Sequence, residues 1–282
     1  MKLTCILLLL FSLNTHAQIA LNFDKNNADC EDKWVAYQKD EKETSYIFGF
    51  IYIDPDAGLT FNYEGRFEID NTGKFIPSKA IKELLKARLE PHNGVIAIIP
   101  DEKLPELGVK TVPDWLAIYK QGENTVNRLH RWGFYYNSYD MSAKALTYLE
   151  KAYQLEPKFA GLEFEIGYAY NALGQFSKAA EFLTKAIATS PNECYLYKEL
   201  SFAHIHLGKI DEASKVAYKG IEVCDDKAMK AEIAFNIAGN YFNKKDLSNF
   251  NLWVKETRKW VVNGDQYSKI LDDMQSKIQQ RY

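Results

Sequence analysis

The chain is poor in the residues that most enzyme signatures require. Its 282 residues hold 5 His and 4 Cys, and they contain no Gly-x-Ser-x-Gly elbow, no glycine-rich phosphate loop and no pair of metal-binding histidines at helical spacing. The histidines of "HIH", His204 and His206, stand two apart and so point to different faces of a helix, which excludes them as a zinc pair. Charge of either sign is also in small excess. The formal net charge is −3, or −4 once Lys2 is removed, too little to imply a nucleic-acid or anionic-membrane partner. After the first residues no stretch is apolar for 18 residues, so no membrane span is expected.

What is present begins with a leader. "MKLTCILLLLFSLNTHAQ" has a lysine, an apolar run over residues 3–13, and small residues at the −3 and −1 positions of a cleavage site after Ala17. The run is too short to cross about 30 Å of hydrocarbon comfortably. The expectation is a signal peptide over residues 1–17, a mature chain from Gln18, and a periplasmic or secreted location. Three cysteines then remain, Cys30, Cys194 and Cys224, in a compartment that permits disulfides.

With 46% hydrophobic residues the mature chain can bury sizeable cores, and its length suggests two folding units. "EKAYQLEP" (150–157) returns as "TKAIATSP" (184–191) and "YKGIEVCD" (218–225), each 34 residues after the last. Taking Val126, Ala160 and Cys194 as position 1, position 8 holds Gly133, Gly167 and Ser201, and position 11 holds Tyr136, Tyr170 and His204. Position 20 holds Ala145, Ala179 and Ala213; position 24 holds Leu149, Leu183 and Ala217; position 27 holds Ala152, Ala186 and Gly220; position 32 holds Pro157, Pro191 and Asp225. Small residues at 8, 20 and 27 let two antiparallel helices approach, and the larger groups fill the space left. Gly174 and Gly208 end successive first helices, and proline at 32 closes the unit.

This pattern resembles the tetratricopeptide repeat, a helical hairpin stable only when stacked. The resemblance covers residues 126 to about 260 and implies units over 126–159, 160–193 and 194–227. A fourth, degenerate unit over 231–263 follows an insertion of three residues near 226–230, with Ala238 at position 8 and Tyr241 at position 11. Behind it, Tyr267, Ile270, Leu271, Met274 and Ile278 make a helical apolar stripe, expected as a capping helix over 264–282. Cys194 and Cys224 fall at positions 1 and 31, which an antiparallel hairpin brings together; they are a disulfide pair or two small buried residues.

In the repeat family the groove-facing positions are mainly 2, 5, 9, 12 and 13. Carried over residue by residue, the resemblance implies a ligand groove of Phe134, Tyr168 and Phe202 at position 9, His130, Phe164 and Lys198 at position 5, and Asn137 and Asn171 at position 12. Rings supply contact area and amides pin a backbone, which suits an extended peptide or a helix. The same rings would also serve to pack helices together. One branch of the family grips a C-terminal carboxylate through lysine, arginine and asparagine at set positions, and His130 and Phe134 depart from that pattern.

Residues 18–125 have another texture and are expected to form a small α+β domain. "TSYIFGFIYID" (44–54) and "LTFNY" (59–63) read as strands, and "RFEIDNTGKFIP" as a hairpin around Asn71-Thr72-Gly73. "SKAIKELLKARL" (78–89) reads as a serine-capped helix, "GVIAIIP" as a strand and "PDWLAIY" as a helix led by Pro113. Asp54 and Asp56 begin like a calcium loop, but glycine comes one place early and the twelfth position is Gly65. Paired acids among Asp54, Asp56, Glu64, Glu68 and Asp70 would be needed for glycoside hydrolysis, and their separation decides that alternative. The phrases "DKWVAYQKD" and "YIFGFIYIDPDAGLTFNYEG", ahead of "RLHRWGFYYNSY", also resemble exported repeat proteins of Bacteroidetes-type bacteria, a resemblance that implies compartment and architecture but no chemistry. The expectation is therefore a mainly α, non-enzymatic interaction scaffold without cofactor, binding a protein or peptide. The alternative is a glycan-binding or hydrolytic N-terminal module that the repeats localise.

Overall fold

A computed structural model describes residues 21–78, 85–92, 95–261 and 264–279. The leader and its cleavage site lie outside the described residues. The chain divides between Gln121 and Gly122 into two compact units.

The first unit is an antiparallel sheet. Its strands are β1 (Lys33–Tyr37), β2 (Tyr46–Asp54), β3 (Gly58–Ile69), β4 (Phe75–Pro77), β5 (Lys86–Arg88) and β6 (Ile96–Ile98), in the order β4-β3-β2-β1-β6. β3 is long enough to hold two short partners on its outer edge: β5 pairs near its start, Thr60 with Arg88, and β4 near its end, Phe67 with Pro77. The ladder between β2 and β3 slips at Phe48 and Gly49. Only glycine fits there, because a Cβ would lie 2.6 Å from the Phe61 ring. One sheet face buries Trp34, Phe48, Phe50, Tyr52, Phe67 and Phe75 against Leu104 and Leu107 of α1 (Leu104–Leu107) and Leu116 of α2 (Leu116–Tyr119).

Two expectations change in this unit. The described end of the segment expected as a helix over 78–89 is strand β5. There the backbone of Leu85 accepts from Tyr63 and that of Leu89 donates to Leu59, so pairing to an open sheet edge overrides local helical spacing. The Pro113-led helix shrinks to the single turn of α2. β1 escaped the strand reading because Trp34, Val35 and Ala36 are buried in succession, which leaves no alternation to read.

The second unit is a stack of helical hairpins. It runs α3 (Val126–Ser138) with α4 (Ser142–Leu155), α5 (Leu162–Ala172) with α6 (Phe176–Thr189), α7 (Cys194–His206) with α8 (Ile210–Val223), and α9 (Lys227–Asn243) with α10 (Leu247–Thr257); α11 (Gln266–Gln279) follows. The small residues of the repeat are contact points: a Cβ at Gly133 would run into Leu149, and one at Gly167 into Leu183. Positions 8 and 24 therefore form one knob and its hole in each of the first two hairpins. The residues inserted near 226–230 add one turn to the front of α9, which Asp226 caps through the amides of Ala228 and Met229. Leu271 of α11 is buried with Ile233, Ile237, Phe250 and Trp253 and closes the end of the stack. Among the described residues no helix is long and apolar enough to cross a membrane.

Candidate binding groove

The eight residues implied for the groove do not share one environment. Phe134 is 48% exposed, and with Asn137, Phe164, Glu165 and Tyr168 it lines a concavity of about 170 Å³ between α3 and α5. Phe164 lies 6.3 Å from Tyr168 between ring centroids and 5.5 Å from the exposed Tyr195. These rings form an open aromatic surface. Phe202 is engaged instead by His206, at 4.3 Å, and by Phe176. The corresponding rings of the fourth repeat are covered, Phe235 by Tyr267 of α11 and Phe242 by Phe250.

The asparagines sit between helices. Asn137 donates its amide to the backbone oxygen of Glu165 at 3.0 Å and to its carboxyl Oε2 at 2.7 Å; Asn171 repeats both bonds to Glu199, at 3.0 and 2.9 Å. Both amides are buried, and their Oδ1 atoms have no partner. They pin the next helix of the stack, while the surface of the concavity beside Asn137 is mainly aromatic. The ladder stops at the third junction, where position 12 is Ile205 and packs into the apolar cluster of the last repeats.

Glu165 and Glu199 were not among the residues picked from the sequence, although a signal was there: asparagine at position 12 followed 28 residues later by glutamate, twice in phase. Burial holds both carboxyls above the ordinary glutamate range, against the hydrogen bonds from the asparagines. Lys198 sits beside Glu199, 3.4 Å from its Oε1, and reaches Glu232 of α9 at 3.3 Å. Burial opposes its charge, but the two carboxylates outweigh that and keep the ammonium above its usual range. The same ammonium lies 5.8 Å over the Phe164 ring. His130 packs its ring against Phe159 at 5.1 Å, and burial lowers its pKa.

Cys194 and Cys224 are joined as a disulfide across the third hairpin, with Cα atoms 5.0 Å apart, and Cys30 is a free buried thiol. Burial raises that thiol to about 11 and removes it from ordinary nucleophilic use.

Two acids of the first unit, Asp54 and Asp70, serve its turns. Asp54 Oδ1 accepts the amides of Asp56 and Ala57 at 2.9 and 3.0 Å; Asp70 Oδ1 accepts from Thr72 and Lys74 in the β3–β4 hairpin. The two turns cap opposite ends of β3, whose 12 residues span about 35 Å. That far exceeds the 5–10 Å a two-carboxylate hydrolysis needs. Glu64 is exposed along the strand between them, and Glu68 accepts a hydrogen bond from Thr44. Among the described residues no three His, Cys, Asp or Glu side chains gather as a metal site.

Residues 164–193 match the tetratricopeptide repeat family. Among solved structures, a thermophilic tetratricopeptide protein of Thermus thermophilus is 15% identical, with a TM-score of 0.49, covering 57% of this chain and 87% of its own. MamA of Desulfovibrio magneticus RS-1, residue 41 to its end, is 16% identical with a TM-score of 0.44, covering 56% and 84%. A tetratricopeptide repeat protein of Parabacteroides merdae is 13% identical with a TM-score of 0.45, covering 57% and 62%. No curated protein matches. The four hairpins are a tetratricopeptide-type stack preceded by a small sheet-based unit.

Proposed function

We propose that the tetratricopeptide repeats of this chain are an interaction scaffold that holds a segment of a partner protein in the groove between the first two hairpins, in a protein exported to the periplasm or beyond. The observation that carries this reading is the aromatic lining of one concavity by the exposed Phe134 and the partly buried Phe164 and Tyr168. Large rings that reach the surface around a hollow offer contact area at low cost in side-chain entropy. Phe202, Asn137 and Asn171 act in this reading as supports, since their side chains are engaged within the stack. Export rests on the charged, apolar and small-residue segments that end at Ala17, and it accords with a Cys194–Cys224 bridge.

The test is an affinity capture from the native envelope fraction, with the protein as bait beside a Phe134→Ala/Tyr168→Ala variant of unchanged helicity. Partners recovered by the first bait and lost with the second support the groove. Equal recovery by both would move the binding function elsewhere in the chain. Mass spectrometry of the same protein purified from its envelope should find an N-terminus at Gln18, and retention of residues 1–17 would count against export.

A further inference from the structure

A second hollow, of about 420 Å³, opens where the first turns of α5 and α7 meet the loops before them. It falls within the roughly 300–1,000 Å³ range of ligand sites. Of the residues implied for the groove, only Phe164 lines it, and Phe164 also borders the smaller concavity beside Phe134, so the two hollows adjoin through one ring. Three aromatic side chains contribute to the wall: Phe159, Phe164 and Tyr195. Tyr195 is 41% exposed and meets Phe164 edge-on at 5.5 Å, while His130 backs Phe159 and burial lowers the imidazole's pKa. Gly161 at the wall has φ +80°, and the side chain it lacks leaves the hollow open above His130.

Two carboxylates complete the lining, Glu163 and Glu193. Glu163 is held in place by the Ser190 hydroxyl, which donates to its Oε2 at 2.9 Å, while the Thr189 hydroxyl lies 3.3 Å from Oε1 and shares its one proton with the Ala186 carbonyl at 3.0 Å, so each carboxylate oxygen keeps a lone pair for an incoming donor. Neither carboxylate has an ion-pair partner among the described residues, and they outnumber Lys158, the single cation of the lining. Rings beside unneutralised carboxylates form a site for an organic cation. The chain already places a cation on this ring set, since Lys198 lies over Phe164.

We infer that the hollow between α5 and α7 takes an arginine side chain of the partner segment, its guanidinium stacked on the aromatic wall and donating to Glu163 and Glu193. Arginine fits better than lysine because a planar fork can stack and donate to carboxylates at once. The inference rests on the reading of the groove as a peptide site and adds the chemistry of one anchor.

The test uses the full protein with N-acetyl-arginine-methylamide as probe and its neutral isostere N-acetyl-citrulline-methylamide as control. Binding is followed by the methyl resonances of Leu196 and Ala160, which line the hollow. The expected result is saturable shifts with the arginine probe, at least about tenfold weaker affinity for citrulline, and a similar loss in Glu193→Gln, an exposed site where folding is not at stake. Equal binding of both probes, or no shift at these methyls, would overturn the inference. Partner capture with the Phe134→Ala/Tyr168→Ala variant and probe titration of the unaltered protein fail separately. If capture survives that variant while the probe still binds, the groove reading fails and the cation site stands.

Discussion

Glu165 shows how a single buried side chain ties the repeat pattern to solution conditions. As a carboxylate it accepts the Asn137 amide but offers no donor to Asn137 Oδ1, which is buried without a partner in the protein. As a carboxylic acid it would offer an O–H to that oxygen and complete an acid–amide pair, and burial pushes its pKa in that direction. The facing groups are Asn137 from α3 and, from α7, Glu199 with Lys198 beside it; the Glu199 charge also raises the Glu165 pKa. A folded pKa above the unfolded one means that the native state binds the extra proton. The resulting stability is complete below the ordinary glutamate range and is lost as pH rises through the raised pKa. Glu165→Gln supplies the missing donor at every pH. Denaturant unfolding from pH 4.5 to 8 should show the variant gaining on wild type as pH rises, by about 1 kcal/mol at pH 8. A constant difference across that range would mean that Glu165 keeps its charge.

At the scale of elements, one cap recurs at the end of every first helix. Gln175 donates to Tyr170 and Gly174 to Asn171; Lys209 and Gly208 repeat this to His204 and Ile205, with both glycines at positive φ. Asp140 and Lys245 stand where those glycines stand, at φ +56° and +59°, and the same carbonyl pairs are closed. The two caps marked by glycine were therefore legible, while the other two become visible only once the period places Asp140 and Lys245 in phase. Lys245 carries a left-handed strain of about 1–2 kcal/mol that glycine would not. Lys245→Gly, which also loosens the unfolded chain, should stabilise the fourth hairpin by up to about 1 kcal/mol. Thermal unfolding checks this, and a lower melting temperature would show that the lysine side chain supports the turn.

For the molecule as a whole, legibility follows contact range. The hairpin stack could be read because its decisive contacts, Gly133 on Leu149 and Gly167 on Leu183, recur at fixed spacing within one unit. Strand β5 could not, because its state is set by β3, more than twenty residues away. The groove was half legible for the same reason: the period placed Phe134 and Tyr168 on one face, but whether Phe202 or Asn137 is available depends on Phe176, His206 and Glu165.

A stack in which each repeat touches only its neighbours should also fail locally. Leu271 is where that can be tested, since α11 contributes it to the core of the last hairpin. Leu271→Asp would bury an unpaired carboxylate there, at a cost of about 3–5 kcal/mol, enough to lower the melting temperature by about 10 °C. Hydrogen exchange should then show protection lost in α9, α10 and α11 and retained in α3 to α6, where the Asn137–Glu165 and Asn171–Glu199 bonds hold successive hairpins. Leu271→Met, close in volume, should cost less than about 1.5 kcal/mol. Uniform loss of protection across α3 to α11 would show instead that the stack unfolds as one cooperative unit, with the cap as a condition of the whole groove.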